Sequence, residues 1–414
     1  MIIRRVSRCY VFVLFLIIIS DAYALTYENI HIHGFISQGY MISDRNNYLA
    51  NTHTGTLEFN DAAINFSRQL YPNFHIGCQV YSRDIGDVGN NKLEIDWALA
   101  DYRMTDLVGF RFGKIKIPHG LYNETRDIDM LRTFIFLPPV YYDISRSTIN
   151  AMNGLDIYGN YQCETFGNFE YQILNGAKRI ETDSGWSRYM ERRGMDITNF
   201  DTGYAGCAKL TWSPNIEGLR LGVTNIFFEI DADAEIHKFP LQHTAHINAD
   251  DEKKYHIAGP DFIYQLNDFQ VMVNYLEYTF REMIFAAEYM TFRGDLIIKT
   301  LAPEVQPIVF HMPIKTDAFY LSMTYRMTDF FEMGGYYAVF WPDTSDKNGK
   351  TLPQNFLAWH KEAAICFRFD ITESLTFKTE THLIDGGALM MPQDNPQGVE
   401  QRTALLLLKL SFSF

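Results

Sequence analysis

The fold is decided by the stretch Thr403-Ala-Leu-Leu-Leu-Leu-Lys-Leu-Ser-Phe-Ser-Phe414, the last twelve residues of the sequence. Counted back from Phe414 in steps of two, every position is apolar, and the positions between them include Ser413, Ser411 and Lys409. A strand with this period has one apolar face and one polar face. In a soluble protein an apolar edge strand would promote aggregation. In a membrane the pattern suits a closed barrel, which pairs every backbone group and has no edge.

The other end of the chain predicts export. Residues 1–24 have the features of a secretory signal peptide, because basic residues come first, an apolar run follows from Val11 to Ile19, and Ala22-Tyr-Ala24 fits the small-x-small cleavage pattern. An anchoring helix is the alternative, but an apolar run of about ten residues is far shorter than the roughly 20 that span a bilayer. We therefore predict cleavage after Ala24 and a single domain, residues 25–414, in the outer membrane of a Gram-negative bacterium.

Composition agrees with a membrane barrel. Aromatic residues make up 15% of the chain, with 25 Tyr and 32 Phe, and barrels place aromatic girdles at both membrane interfaces. The formal net charge of −14 argues against nucleic acid as a partner. The cysteines beyond the predicted signal peptide are widely spaced and are interpreted as wall-packing residues, with a disulfide between neighbouring strands as the alternative. They are Cys78, Cys163, Cys207 and Cys366.

Segments with period-two patterning alternate with turns and loops between residues 25 and 414. Their length of about ten residues is typical of tilted membrane strands. The predicted strands are Phe59–Leu70, Phe74–Ile85, Leu93–Arg103, Leu107–Ile117, Leu155–Cys163, Tyr204–Trp212, Leu219–Ile230, Phe269–Phe280, Phe319–Met327, Phe330–Trp341, Ala363–Ile371 and Leu375–Leu383. The strand count is about 16 or 18, depending on whether Leu296–Leu301 is a strand of its own.

Short connections alternate with long ones, as periplasmic turns alternate with extracellular loops in outer-membrane barrels. The predicted tight turns are Tyr71-Pro-Asn73, Thr105-Asp106, Phe166-Gly-Asn168, Asn267-Asp268, Thr328-Asp329 and Thr372-Glu-Ser374. The predicted long loops are Ser43–Thr54, Pro118–Asn150, Ala177–Thr202, Asp231–Glu252, Pro342–Asn355 and Asp385–Gln401. The fold class is therefore an all-β transmembrane antiparallel barrel. A soluble sandwich or propeller is the alternative, but it explains neither the signal peptide nor the loop pattern.

Charged residues within the strands predict which face lines the lumen. An Arg or Lys on the lipid face at mid-bilayer would cost about 2–4 kcal/mol, and about 16 to 18 strands leave an aqueous channel. The predicted pore-lining residues on the wall are Arg83, Lys209, Arg326, Arg368, Lys378, Glu380 and Lys409. Bases outnumber acids, of which Asp96 and Asp370 are further examples, so a weak anion preference is one hypothesis. Charges that only keep the pore wet are the other.

Several motifs in the first half of the chain resemble those of a known family. They are Phe59-Asn-Asp-Ala-Ala-Ile-Asn-Phe66, Asn90-Asn-Lys-Leu-Glu-Ile-Asp-Trp-Ala98, Gly109-Phe-Arg-Phe-Gly-Lys-Ile-Lys-Ile-Pro-His-Gly120, Leu137-Pro-Pro-Val-Tyr-Tyr142 and Asn153-Gly-Leu-Asp-Ile-Tyr-Gly159. The chain resembles porin-like outer-membrane proteins of Gram-negative bacteria and is distantly similar to the phosphate-selective porin group. The resemblance implies a homotrimer in outer-membrane lipid and lipopolysaccharide, assembled by the barrel assembly machinery, that passes small hydrophilic solutes passively. The lysine- and arginine-dense ladder of a phosphate-selective channel is not seen.

In porins the third long loop folds into the barrel and forms the constriction, and by position that loop is Pro118–Asn150. Its prolines and aromatic residues make it too apolar for an extended conformation in water. Inward folding would bury its aromatic residues and leave charged ones at the constriction, where opposed charges across a narrow gap filter solutes. The predicted constriction residues are Arg126, Asp127, Asp129, Arg132 and Arg146. An external lid is the alternative.

Two other classes of protein are weighed against the porin: a barrel hydrolase and a surface adhesin or receptor. Loop residues such as His243 or His246 with Asp250 form no catalytic motif, so we predict that the protein is not an enzyme. His31 and His33 share one face of the first strand, but two ligands are too few for a metal site. Neither a metal nor another cofactor is predicted.

Overall fold

The computed structural model describes residues 25–27, 29–86, 89–138, 149–178, 180–184, 187–188, 191, 195–236, 262–300 and 309–414. The predicted signal peptide, Arg146 of the predicted constriction and the candidate residues His243, His246 and Asp250 lie outside these residues, so those assignments stay predictions. Within the described ranges, no helix has the length and apolar character needed to cross a membrane.

Sixteen antiparallel strands form a closed barrel, in which each strand pairs with the next along the chain. In chain order they are β2 (Ile30–Ser43), β3 (Phe59–Tyr71), β4 (Phe74–Ile85), β5 (Glu94–Arg103), β6 (Gly109–Lys116), β7 (Ala151–Cys163), β8 (Gly167–Ala177), β9 (Met195–Ser213), β10 (Leu219–Ile236), β11 (Phe262–Phe280), β12 (Met283–Thr300), β13 (Val309–Arg326), β14 (Phe331–Trp341), β15 (His360–Asp370), β16 (Leu375–Asp385) and β17 (Arg402–Ser413). A short strand, β1 (Leu25–Tyr27), precedes them and pairs with the start of β2.

The barrel closes between β17 and β2, with Lys409 opposite Gly39 and Phe412 opposite Ile36. Beyond the last strand, the backbone N–H and C=O of Phe414 each bond Gly34 at 3.0 Å. Closure gives hydrogen-bond partners to strand edges that a bilayer would otherwise leave unpaired. The predicted all-β antiparallel barrel is therefore confirmed.

Short and long connections lie at opposite ends of the barrel, as predicted. The short ones are residues 72–73, 104–108, 164–166, 214–218, 281–282, 327–330 and 371–374. The long ones are residues 44–58, 342–359 and 386–401 and the described parts of 86–93, 117–150 and 178–194, while residues 237–261 and 301–308 lie outside the described ranges. The short-turn end is the periplasmic end by the barrel rule, and both the start of β2 and the end of β17 lie there.

Asn267 and Asp268 were predicted as a tight turn, and that prediction is wrong. They lie inside β11, where the register with β12 shifts between Asn267 and Gln270. The same local irregularity shifts the register between β10 and β11. The extra residue of a β-bulge has no partner in the hydrogen-bond ladder between the strands. A bulge therefore accepts the residue types that also favour turns. The turn itself is at residues 281–282.

The strands that flank this region are longer than predicted. β9 begins at Met195, within the predicted loop Ala177–Thr202. β10 ends at Ile236, within the predicted loop Asp231–Glu252. The segment Leu296–Leu301 is not a strand of its own, because β12 continues to Thr300. This continuity decides the strand count at sixteen.

The strand alternation places charge inside the barrel and apolar groups outside. On β16 and β17, Lys378, Glu380 and Lys409 are buried on the inner face, while Leu383 and Leu406 are exposed on the outer face. The apolar face of the C-terminal strand therefore faces lipid, as predicted.

Part of the inner wall on another side of the barrel is apolar. Inward positions of β10, β11 and β12 carry buried hydrophobic side chains, and residues of the 117–150 connection pack against them. The wall residues are Ile226, Phe228, Phe269, Val271, Val273 and Met290, and loop residues of the same core are Ile117, Leu137 and Ile149. Phe134 of the loop contacts Tyr336 of β14 in this core. The largest hydrophobic core of the described structure thus lies inside the barrel, between the loop and the wall.

Candidate constriction inside the barrel

The described part of the connection 117–150, which we call the inner loop, crosses the lumen. Near its start, the Pro118 carbonyl accepts a hydrogen bond of 3.1 Å from Thr224 on β10, and the Leu121 N–H donates to Glu288 on β12 at 2.5 Å. Further along, the loop contacts β14 to β17 on the opposite wall. The described part of the loop therefore lies within the barrel, which confirms the inward-folded third loop and rejects the external lid.

One attachment of the inner loop is centred on Asp129. Its carboxylate lies 3.1 Å from the Lys378 ammonium and 3.5 Å from that of Lys409, and it accepts a hydrogen bond of 2.6 Å from Ser411. Lys378 also donates to the backbone carbonyls of Asp129 and Arg132 at 2.7 and 2.8 Å. Burial alone would raise the pKa of Asp129, but the positive charges of Lys378, Lys409 and Arg132 lower it well below its ordinary value. Asp129 is therefore ionised and fixes the loop to β16 and β17.

A second attachment is centred on Glu380 of β16. Its carboxylate accepts hydrogen bonds from the backbone N–H groups of Ile135 and Phe136 at 2.7 and 3.0 Å. His382 Nε2 lies 2.9 Å from the same carboxylate, and His382 Nδ1 bonds Glu362. Glu362, Glu380 and His382 are all fully buried. This chain of buried polar contacts orients Glu380 toward the loop backbone.

A third attachment joins the loop segment around Thr133 to β14 and β15. The Thr133 hydroxyl donates to Glu332, and its carbonyl accepts a 3.1 Å hydrogen bond from the Cys366 thiol. Arg368 donates to the Arg132 carbonyl at 3.0 Å. The inner loop is thus bonded to four consecutive strands on this side of the barrel.

A narrow gap remains between the inner loop and strands β3 and β4. It encloses a cavity of about 20 Å³, which is room for about one water molecule. Its charged lining residues are Asp61, Arg83, Arg126, Asp127, Arg132 and Lys409. Bases outnumber acids in this lining.

The charges of the gap are held by pairing. Lys409 on β17 lies 2.9 Å from Asp61 on β3, the strand on the far side of β2, and Lys116 lies 2.6 Å from Asp127. The Arg132 guanidinium donates to the carbonyls of Phe134 and Ile135 at 3.1 and 3.0 Å. These contacts fix the positions of the charges, as a selective constriction requires.

The structure separates the predicted site residues into groups. Arg83, Arg126, Asp127, Arg132 and Lys409 come together at the gap. Lys409 also belongs with those that hold the inner loop, which are Asp129, Arg368, Lys378 and Glu380. Arg326 pairs with Glu332 and Asp370 at 2.7 and 3.0 Å, and Lys209 lines a larger cavity. Their pore-lining role stays a prediction.

Several residues at these contacts were not predicted as site residues. Asp61 and Glu332 fall on inward positions of strands that the alternation identified, so the same face rule would have found them. Glu362 and His382 also fall on inward positions. Their link to the inner loop has no local sequence signal, because it is made across the barrel.

Neither a protein-family model nor a curated protein sequence matches the chain. Solved structures do match it over nearly its whole length. The outer membrane channel DcaP of Acinetobacter baumannii has a TM-score of 0.54 and 10% identity, covering 95% of this chain and 100% of that chain. OprB of Pseudomonas putida has a TM-score of 0.54 and 11% identity, covering 93% and 94%. An anion-selective porin from Comamonas acidovorans has a TM-score of 0.51 and 8% identity, covering 93% and 99%.

These identities are too low to compare functional residues, and the likeness concerns the fold. The sixteen closed strands, the short turns at one end and the inner loop agree with it. The chain therefore has the fold of the porin-like outer-membrane β-barrels.

Proposed function

We propose that the protein is an outer-membrane channel that passes small hydrophilic solutes or ions by passive diffusion, and that it is not an enzyme. The observation that carries the proposal is the charged gap between the inner loop and β3–β4. A barrel of this size would leave a wide aqueous bore. The loop narrows that bore to a gap lined by charged residues, and we propose that solutes are filtered there by size and charge.

The excess of bases in the gap supports a weak anion preference. Arg83, Arg126, Arg132 and Lys409 face Asp61 and Asp127 there. A solved structure of the same fold is an anion-selective porin, which agrees with this preference. Cleavage of the signal peptide, the homotrimer, the surrounding lipopolysaccharide and assembly by the barrel assembly machinery are parts of the same proposal.

Planar-bilayer recording of the purified protein tests the proposal. We expect stepwise current increments and, in a potassium chloride gradient, a reversal potential that indicates anion preference. Arg83→Glu should shift that potential toward cation preference, because it reverses one charge at the gap. Arg402→Glu is the matched control, since Arg402 has a side chain that is 77% exposed at the loop end. The absence of any current would refute the channel, whereas clear cation selectivity of the unmodified protein would refute only the anion preference.

A further inference from the structure

A second connection also folds into the barrel, at its long-loop end. This connection, residues 386–401 between β16 and β17, is called the last loop. Near its start Leu389 and Met390 are buried, and they share a hydrophobic core with the inward residues Leu405 and Leu407 of β17. Apolar side chains of this size are unfavourable against water. The start of the last loop is therefore packed against the inner wall and does not extend from the rim.

The same core contains the apolar lining of the gap. Phe59 is the first residue of β3 and Ile85 is the last residue of β4, so this lining lies at the long-loop end of both strands. The ring centres of Phe59 and of Phe136 on the inner loop are 5.3 Å apart. The last loop thus packs on the residues that border the gap. The members of the core that line the gap are Phe59, Ile85, Ile135 and Phe136.

Hydrogen bonds tie the last loop to the connection 44–58, between β2 and β3. The Asn395 side chain accepts a bond of 2.8 Å from the Asn47 N–H and donates to the Asn47 carbonyl at 3.2 Å. The Asn47 side chain donates to the Asp394 carbonyl at 2.8 Å. These bonds join two loops, so they can break without any change in strand pairing. We call these contacts the loop tether.

The end of the last loop has a backbone joint. Gly398 has a φ of +103°, and a Cβ atom there would have no other atom within 4 Å. Glycine adopts positive and negative φ with similar ease, and the space around Gly398 lets the chain turn without a clash. The segment that carries the loop tether therefore ends at a residue that can change direction.

The gap beneath the last loop is narrower than a solute needs. Its cavity of about 20 Å³ has room for about one water molecule. The backbone of the inner loop is fixed to β16 and β17 through Glu380 and Asp129. Widening of the gap must therefore come from its side chains, and the rings of Phe59 and Phe136 are the largest of the apolar ones. Both rings belong to the core that the last loop completes.

We propose that the last loop is a lid on the gap and that its displacement opens the channel to solutes larger than water. In the closed arrangement Leu389 and Met390 hold the rings of Phe59 and Phe136 across the gap. When the loop tether breaks and the lid moves, both rings lose packing partners and turn away. The proposal rests on the proposed function, because a lid on the gap affects only solutes that pass through it.

Asn395→Ala tests the lid by removing the loop tether. We expect the fraction of time spent open in planar-bilayer recordings to rise about tenfold, because the Asn395 side chain bonds three backbone groups. Asn47→Ala acts on the same contact from the other loop and should change the open time in the same direction. Asn348→Ala, exposed in the connection 342–359, is the matched control and should leave the open time unchanged.

Met390→Ala tests the packing of the lid. Swelling of proteoliposomes in L-arabinose and in sucrose compares a smaller with a larger uncharged solute. We expect the ratio of the sucrose rate to the arabinose rate to rise severalfold, because the lid no longer holds the two rings in place. Met104→Ala, in a short turn with its side chain 63% exposed, is the control and should keep the ratio of the unmodified protein.

The heat-induced gel shift shows that the barrel is folded in each variant. If Asn395→Ala, Asn47→Ala and Met390→Ala conduct and admit both sugars as the unmodified protein does, the last loop is not a lid, but the channel stands. Equal changes in the variants and their controls would also overturn the lid. If neither the unmodified protein nor any variant conducts or admits a sugar, the proposed function fails and the lid fails with it.

Discussion

Replacing Glu380 by alanine should release the inner loop without opening the barrel. The change removes the acceptor of the Ile135 and Phe136 N–H groups, which bond it at 2.7 and 3.0 Å. Leaving a buried donor unpaired costs about 1–3 kcal/mol. With two donors affected, we expect the free energy that holds this loop segment to fall by about 3 kcal/mol. That loss corresponds to a roughly hundredfold increase in the open population of the segment. Glu380→Gln, which keeps one carbonyl oxygen, should have a smaller effect.

Hydrogen exchange followed by mass spectrometry measures this opening directly in the detergent-solubilised protein. Peptides containing Ile135 and Phe136 should exchange about a hundredfold faster in Glu380→Ala. Peptides from the strands should keep their protection, because backbone pairing between strands does not pass through Glu380. Glu373→Ala, in the exposed turn between β15 and β16, is the control and should change neither. Unchanged exchange of the loop in Glu380→Ala would show that this carboxylate does not hold it.

Two further substitutions test the attachment at Asp129 and the packing beside the closure of the barrel at Gly39. Because the pKa of Asp129 is lowered, its contribution to the attachment of the loop is complete above the unfolded pKa of about 4 and is lost as the pH falls through the lower folded pKa. Hydrogen exchange of the loop, corrected for its intrinsic pH dependence, should therefore be constant from pH 7 to 5 and rise only on stronger acidification. In Asp129→Asn it should be fast throughout this range. A Cβ atom at Gly39 would lie 2.2 Å from the Phe59 ring, so Gly39→Ala should destabilise the barrel by about 1–3 kcal/mol, measured as a lower temperature for the heat-induced gel shift. Gly335→Ala, whose nearest neighbour would be 3.3 Å away, is its control, and equal shifts would contradict the packing argument.

Most of the barrel follows from local patterns in the chain. Period-two alternation identifies a strand and its two faces, and charge identifies the inner face because lipid excludes it. Lys378, Glu380 and Lys409 lie inside for this reason. Turn-forming residues are a weaker guide, because Asn267 and Asp268 occupy an irregularity within a strand. The same backbone freedom serves a turn and a bulge, so residue identity alone does not separate them.

The contacts that hold the inner loop could not be predicted in the same way. Phe136 and Glu380 are 244 residues apart in the chain, and Lys409 and Asp61 are 348 apart. The path of the loop across the barrel decides which inward charged residues contact one another. Local sequence patterns do not predict that path. The face rule therefore predicts that a charged residue points inward, but it does not distinguish a residue at the gap from one buried under the loop.

The apolar part of the inner wall gives the reason for the path of the loop. Over part of β10 and β11 both faces carry apolar residues, since Phe227 and Met272 are exposed outside while Phe228, Val271 and Val273 are buried inside. Alternation does not identify the inner face of this part, because no charged residue marks it. An apolar inner face is unfavourable against water and needs a cover. The inner loop is itself too apolar for solvent, and its Ile117, Leu137 and Ile149 belong to the same core as this wall. The apolar wall and the apolar residues of the inner loop bury one another, and this burial directs the loop across the barrel. The charged attachments on the opposite side then fix the width of the gap that remains.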